Sequence, residues 1–259
     1  MQDGNFRVDM LRGVNSGGIT QFASDVLARL VARDGESGHQ LREPLVLALM
    51  EAVRSANLNA FEALKPDLKR ARVSPEAFAD CYIPEVARRL GQQWMDDTAS
   101  FAEVTIGVAR LQAILREIGA KWTADGYAQA GGSTVLLILP AQEQHTLGAM
   151  VIAGWLRRKG ISVCLRIAPT VAEIGALLAT HRFDGAMISV AGNERLEVCT
   201  KLVKTLKNKS KGTLLVAVGG SVLERNEDVA TVTGADIVTN DLSAMVQAFG
   251  LTRQSALMQ

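Results

Sequence analysis

The sequence predicts an α/β protein: a five-stranded parallel sheet domain preceded by an all-helical bundle. Between residues 133 and 250, short continuous apolar runs alternate with helical segments, as expected for strands buried on both faces of a parallel sheet. Between residues 41 and 126, apolar residues recur at helical spacing instead. Aromatic residues make up only 5% of the chain, so both cores must be aliphatic.

Residues 1–40 carry Gly13, Gly17, Gly18, Gly35 and Gly38 around one periodic segment at 19–31. One helix with glycine-rich flanks is expected there, with no role assigned. In the second zone Leu45, Leu49 and Val53 repeat every four residues. Ser74-Pro75-Glu76 reads as a helix start, with Ser as cap, Pro in the first turn and an acid at the positive dipole end. Pro84 is expected to end or kink that helix near Tyr82, and a further helix to run from Pro84 to about Trp94. Ser100-Phe101-Ala102-Glu103 fits a capping box, opening a helix with Val104, Val108, Leu111, Leu115 and Ile118 on one face. Four helices with short loops form a small bundle.

After a glycine-rich break at 126–132, strands are expected at 135–139, 161–167, 186–190, 214–218 and 236–239. Helices are expected at 146–159, 171–180, up to about Leu206, 222–229 and 242–249. This is a flavodoxin-like, Rossmann-like doubly wound domain, in which ligands bind beyond the carboxyl ends of the strands.

Composition excludes several classes. Apolar residues at 48% and charged residues at 21% do not describe a disordered chain. Twenty-eight basic against 27 acidic side chains leave a net charge of +1, too little to coat DNA, though a local patch stays open. Lys201, Lys204, Lys207, Lys209 and Lys211 form such a basic stretch, either a solvated face or a docking patch. The longest apolar run, 45–50, is too short for a bilayer, so no membrane partner is expected. The first ten residues do not read as a signal peptide, and a cytoplasmic location is expected. Cys81, Cys164 and Cys199 are widely spaced with no Cys-x-x-Cys, so neither a disulfide framework nor a zinc ribbon is expected.

Three loops on one sheet edge carry candidate chemistry. After the first strand comes Pro140-Ala141-Gln142-Glu143-Gln144-His145-Thr146-Leu147-Gly148, with no dinucleotide fingerprint and no P-loop lysine. An imidazole there can offer one ring nitrogen to a metal while a carboxylate two residues back accepts the proton of the other. It also reads as a helix-start histidine on a solvated loop. After the third strand comes Ser189-Val190-Ala191-Gly192-Asn193, small polar residues that equally make a plain turn. After the fourth comes Gly219-Gly220-Ser221, which admits a ligand close to the backbone or makes a tight turn. His145 precedes Ser189 by 44 residues and Gly219 by 74.

In this combination the chain, over about residues 42–250, resembles the cobalamin-binding domain of methionine synthase, the mutases and corrinoid proteins, with its preceding cap bundle. That family carries Asp-x-His-x-x-Gly, Ser-x-Leu and Gly-Gly at about these separations. The resemblance implies that His145 replaces the nucleotide base as lower axial cobalt ligand, with Glu143 bonded to its other nitrogen. It implies that Ser189 and Asn193 contact the displaced nucleotide tail, that Gly219 and Gly220 line its slot, and that Gly148 lets the following helix pack close. Gln142, Gln144, Thr146 and Val190 stand beside these residues in the same site. Trp94 and the helix start at Glu103-Val104 are implied to face the upper axial ligand, although Trp94 also reads as bundle core and Glu103 as a cap.

The chain departs from the pattern in three places. Glu143 replaces Asp, Ser-x-Leu becomes Ser189-Val190-Ala191, and Val104 stands where light-sensing repressors of the family have a histidine beside the glutamate. The segment from Trp94 to Gly107, with Glu143-Gln144-His145, most resembles the AerR/PpaA antirepressors of purple bacteria. That resemblance implies a non-enzymatic, light-responsive regulator of photosynthesis genes, with a CrtJ/PpsR-type repressor as partner and DNA contact at most weak or through the partner complex. It implies hydroxocobalamin, or adenosyl- and methylcobalamin as light-labile forms, with no other metal. The alternative is a corrinoid shuttle protein of a methyltransferase system.

Overall fold

The computed structural model describes residues 41–57, 59–124, 132–143, 146–224, 226 and 228–251. The helix expected at 19–31 lies outside the described residues, as do Gln144 and His145.

The amino-terminal part is a bundle. Helix α1 (Glu43–Arg54) has Pro44 in its first turn and buries Leu45, Val46, Leu49, Met50, Ala52 and Val53. Helix α2 (Ala60–Arg70) was not expected: it buries only Leu64 and Leu68 and contains Pro66, so its apolar signal is weak. Helix α3 (Pro75–Ala77) starts at Ser74, whose Oγ accepts the N–H of Ala77 at 3.1 Å. The helix does not end near Tyr82. It widens into a π turn (Phe78–Tyr82) and continues as α4 (Ile83–Met95). The N–H of Ile83 reaches back five residues to the carbonyl of Phe78, which places Pro84 in the first turn of a new α segment. A proline's missing N–H costs little there. Helix α5 (Phe101–Ala124) closes the bundle, and Leu49, Ile83, Leu90 and Leu111 are fully buried at its centre. Each such leucine contributes about 2 kcal/mol of transfer free energy.

The second part follows the expected alternation. It runs β1 (Thr134–Leu139), α6 (Thr146–Arg158), β2 (Ser162–Ile167), α7 (Val171–Thr180), β3 (Gly185–Ser189), α8 (Leu196–Lys209), β4 (Val216–Gly219), α9 (Val229–Thr233), β5 (Ile237–Val238) and α10 (Leu242–Ala248). The helix expected at 222–229 is instead a 3₁₀ turn (Ser221–Glu224), with α9 following from Val229. All strand pairs are parallel, in the order β2-β1-β3-β4-β5. Helices α6 and α10 cover one face, while α7, α8 and α9 cover the other. Because the strand order reverses at β1, the helices that follow β1 and β3 lie on opposite faces, and the loops after these strands diverge to leave a crevice at their carboxyl ends.

Helix α6 joins the two parts. Its Leu147 and Val151 belong to the bundle core, and its Arg158 pairs with Asp80 of the π turn. The Arg158 guanidinium also lies over the Trp122 ring at 4.1 Å. Among the described residues, no helix is long and apolar enough to cross a membrane.

Candidate functional site at the carboxyl edge of the sheet

The loops after β1, β3 and β4 are pinned to one another by side chains. After β1 the chain turns at Gln142, which has a positive φ of 65°, and the N–H of Glu143 bonds back to Pro140 O at 3.1 Å. Glu143 is buried, and its Oε2 accepts the N–H of Ala191 at 3.0 Å, 48 residues away. The carbonyl of Ala191 accepts Ser221 Oγ at 2.9 Å. Both backbone groups of Ala191 are therefore held by side chains from the neighbouring loops. The Val190 N–H bonds to Gly219 O at 2.9 Å, carrying the β3–β4 pairing one residue past the strand.

The two glycines are required by this packing. Gly220 has φ +118°, and a Cβ there would stand 2.1 Å from Val190 O. A Cβ at Gly219 would stand 2.7 Å from Thr239 O. Real Cβ atoms do not approach backbone oxygen this closely.

Beside the glycines lies a narrow slot that opens to solvent at the strand ends. Leu137, Met187 and Ala217 of the strands, Ile152 of α6, and Leu242 and Met245 of α10 give it an apolar lining. Ser189 and Asn240, both buried, add polar groups at the strand ends. An apolar crevice rimmed by a few polar atoms suits a flat, mostly apolar ring attached to a polar tail. It offers nothing to pair a charged group at its floor.

The remaining expected residues are distributed as follows. Ser189, Val190, Gly219, Gly220 and Glu143 come together at this edge. Asn193 is exposed in the 3₁₀ turn Asn193–Arg195, and its Oδ1 accepts Asn226 Nδ2 at 3.4 Å. Gln142 is exposed and accepts Arg195 Nη1 at 2.7 Å. Thr146 opens α6 and accepts Gln112 Nε2 from α5 at 2.8 Å, linking bundle and site. Gly148 is half-buried in the first turn of α6. His145 and Gln144 lie outside the described residues, between Glu143 and Thr146 in sequence.

On the bundle, Trp94 is half-buried against the core, with its ring centroid 5.9 Å from that of Phe101. Phe101 is 62% exposed. Glu103 completes the capping box: its Oε2 accepts Ser100 N–H at 2.8 Å while Ser100 Oγ accepts Glu103 N–H at 3.2 Å. Glu103 also pairs with Arg54 at 3.0 Å. The bonds from Ser100, then the Arg54 charge, hold its carboxyl down at about 2. Val104 differs from the expectation of a ligand-facing position: it is 2% exposed and packs in the bundle core. In an amphipathic helix the residue beside an exposed cap points inward.

Asn240 was not singled out from sequence, and Ser221 and Ala191 were named in their loops without a role. Asn240 sits just after the fifth strand, on the same edge as the three loops considered, and that position was its only signal. Burial pushes the Cys199 thiol up to about 12, as expected for a core thiol. Among the described residues no group of three His, Cys, Asp or Glu is placed to hold a metal. In the basic stretch, Lys201 pairs with Glu197 and Lys207 with Asp236.

No family model matches the chain. It is 45% identical over 190 residues to the uncharacterized 20.5 kDa protein in the bchF-crtJ intergenic region of Rhodobacter capsulatus, covering 73% of this chain and 99% of that protein. Among solved structures it is similar to the monomethylamine corrinoid protein of Methanosarcina barkeri, with a TM-score of 0.64 and 12% identity, covering 82% of this chain and 99% of that one. At that identity the likeness concerns the fold, a helical bundle followed by the parallel sheet.

Proposed function

Because the chain belongs to the family of the 20.5 kDa protein of the bchF-crtJ intergenic region, we propose that it is a cobalamin-binding, light-responsive regulator of photosynthesis genes. In this reading it is a cytoplasmic antirepressor, without enzymatic activity, that modulates a CrtJ/PpsR-type repressor and touches DNA weakly or only through that partner. One observation carries the cobalamin assignment. A narrow apolar slot opens at the carboxyl edge of the sheet, flanked by Gly219 and Gly220 and next to the loop that bears Glu143 and, in sequence, His145.

The residues divide the work. The slot takes the nucleotide base, with Ser189 at its rim and Asn193 on the adjoining turn. His145 would hold the cobalt through a ring nitrogen, leaving that base free to enter the slot. Glu143, already anchored on Ala191 N–H, stands two residues from His145 and positions the loop. Trp94 and Glu103 shape the bundle surface toward the upper ligand. Bound cobalamin supplies a photolabile cobalt–carbon bond when its upper ligand is an alkyl group. Light then shifts the population of bundle–sheet arrangements, provided one arrangement binds the altered cofactor better.

The likeness in fold to a methylamine corrinoid protein favours a second reading, a corrinoid shuttle of a methyltransferase system. One set of spectra separates them. The protein is mixed with hydroxocobalamin, adenosylcobalamin and methylcobalamin, dark and illuminated, beside His145→Ala. A histidine-ligated spectrum that is lost in His145→Ala, with illumination changing cofactor retention or repressor affinity, is the expected result. Equal retention of methylcobalamin with no effect of light supports the shuttle. No corrinoid retained by the wild type ends both readings.

A further inference from the structure

The β4–β5 ladder pairs Ala217 with Ile237 and Val218 with Val238, and Thr239 N–H then bonds to Val218 O at 3.1 Å. Beyond that point a side chain continues the pairing. The Gly220 N–H donates to Asn240 Oδ1 at 2.7 Å, and Asn240 Nδ2 donates to Gly220 O at 3.3 Å. One carboxamide thus bonds both backbone groups of one glycine, whose carbonyl also accepts the Leu223 N–H at 3.1 Å. The residue held is the one at φ +118°, pressed against Val190 O. Asn240 is only 6% exposed, so these bonds are not shared with bulk water. The next residue, Asp241, caps α10 by accepting the N–H of Ala244 at 2.9 Å. Asn240 therefore ties the glycine turn to the segment that leads into α10, and both line the slot.

We propose that Asn240 is the positioning residue that sets the gap of the slot, and so selects corrinoids that carry a flat nucleotide base over those that lack one. The proposal rests on the reading of the slot as the site of the nucleotide tail. Without the carboxamide, the Gly220 N–H loses its partner while the Gly220 carbonyl keeps only the Leu223 N–H, and the glycine turn is free to shift against the start of α10. A corrinoid without the nucleotide has no group to place in the slot, so its binding is expected to be unchanged.

The test compares two probes, hydroxocobalamin and diaquocobinamide, the second having the same ring without the nucleotide. Binding to the full chain is titrated by absorption for wild type, Asn240→Ala and Asn240→Ser, with circular dichroism confirming the fold. The expected result is a wild-type preference for cobalamin that falls about tenfold in Asn240→Ala, with cobinamide affinity unchanged. Asn240→Ser keeps one hydroxyl and should fall between them, and it is the variant to read should Asn240→Ala not fold. A merely structural role would weaken both probes equally. Wild-type protein that shows no preference overturns the tail reading of the slot and this proposal with it. A preference fully retained by Asn240→Ala overturns the proposal alone.

Discussion

In the helical bundle, Arg110 bonds to backbone at Val53 O and Ser55 O, but three pairs of polar side chains join each other across helices: Glu43 with Arg89, Arg54 with Glu103, and Lys65 with Glu117. At the carboxyl edge of the sheet polar side chains pair with backbone: Glu143 with Ala191 N–H, Ser221 with Ala191 O, and Asn240 with both groups of Gly220. The bundle pairs each have at least one largely exposed partner, and such pairs are worth about 0–1 kcal/mol each. The sheet-edge bonds are buried, and losing one leaves a buried peptide group unsatisfied at a cost of about 1–3 kcal/mol. The sheet edge is thus built to one geometry, whereas the bundle surface has pairs it can exchange. A site that must hold a ligand in register benefits from the first, and a surface that must respond to it from the second.

The largest expected effect comes from breaking the rigid side of this contrast. Gly220→Ala places a methyl carbon on Val190 O and demands a positive φ from a residue with a side chain. A loss of about 4 kcal/mol is expected in denaturant unfolding, together with loss of corrinoid binding. Gly212 and Gly234 also have positive φ, but a Cβ there meets nothing within 4 Å. Alanine at either should cost only about 1 kcal/mol. Equal losses at all three sites would mean that crowding at the sheet edge is unimportant.

Next in size is the link between the two regions. The Arg158–Asp80 pair is 11% and 17% exposed and crosses from α6 to the π turn, so it behaves as a buried pair. Arg158→Met removes the cation from the Asp80 carboxylate and is expected to cost about 3 kcal/mol. Adding Asp80→Asn should recover part of that, since the carboxylate that faced Arg158 is then neutral. Tryptophan fluorescence reports the change through Trp122, whose ring the guanidinium covers. If the bundle melts separately from the sheet in Arg158→Met, this pair is the coupling element. Unchanged cooperativity would assign the coupling to Leu147 and Val151 instead.

The same contrast explains what could be read from the sequence. The central strands were legible because they are continuous apolar runs, as in Val135 to Leu139, all fully buried, whereas β2 at the sheet edge carries Ser162 and Arg166 and is half-buried to exposed. Glycines 219 and 220 were legible as a special pair, though not why: Val190 O and Thr239 O, which exclude a Cβ, come from distant loops. Helix α2 was missed because two buried leucines and an internal proline give little periodic signal. Pro84 was legible as the start of a helix to about Trp94, but not the π turn before it, which is a tertiary accommodation that local rules do not encode. The partners of Glu143 and Asn240 were not legible either. Each bond joins chain segments 20 or more residues apart, and no spacing rule fixes which backbone group a buried carboxylate or amide will meet.

The smallest expected effect tests the exchangeable side. Glu103 is exposed, and its carboxyl is held near 2 by Ser100 and then by Arg54. Because the folded state lowers this pKa from 4.5, it favours the ionised form. The stabilisation is therefore complete above about pH 4.5 and is lost as pH falls toward 2. A glutamine at the same place can still close the capping box but neither titrates nor pairs with Arg54 as a charge. Glu103→Gln should therefore lower the melting temperature only slightly at pH 7. It should also flatten the acid side of the stability curve between pH 4.5 and 2, and make the remaining stability less sensitive to salt. A large loss at pH 7 would show that this pair is as fixed as the bonds at the sheet edge, and the distinction between the two regions would then rest on burial alone.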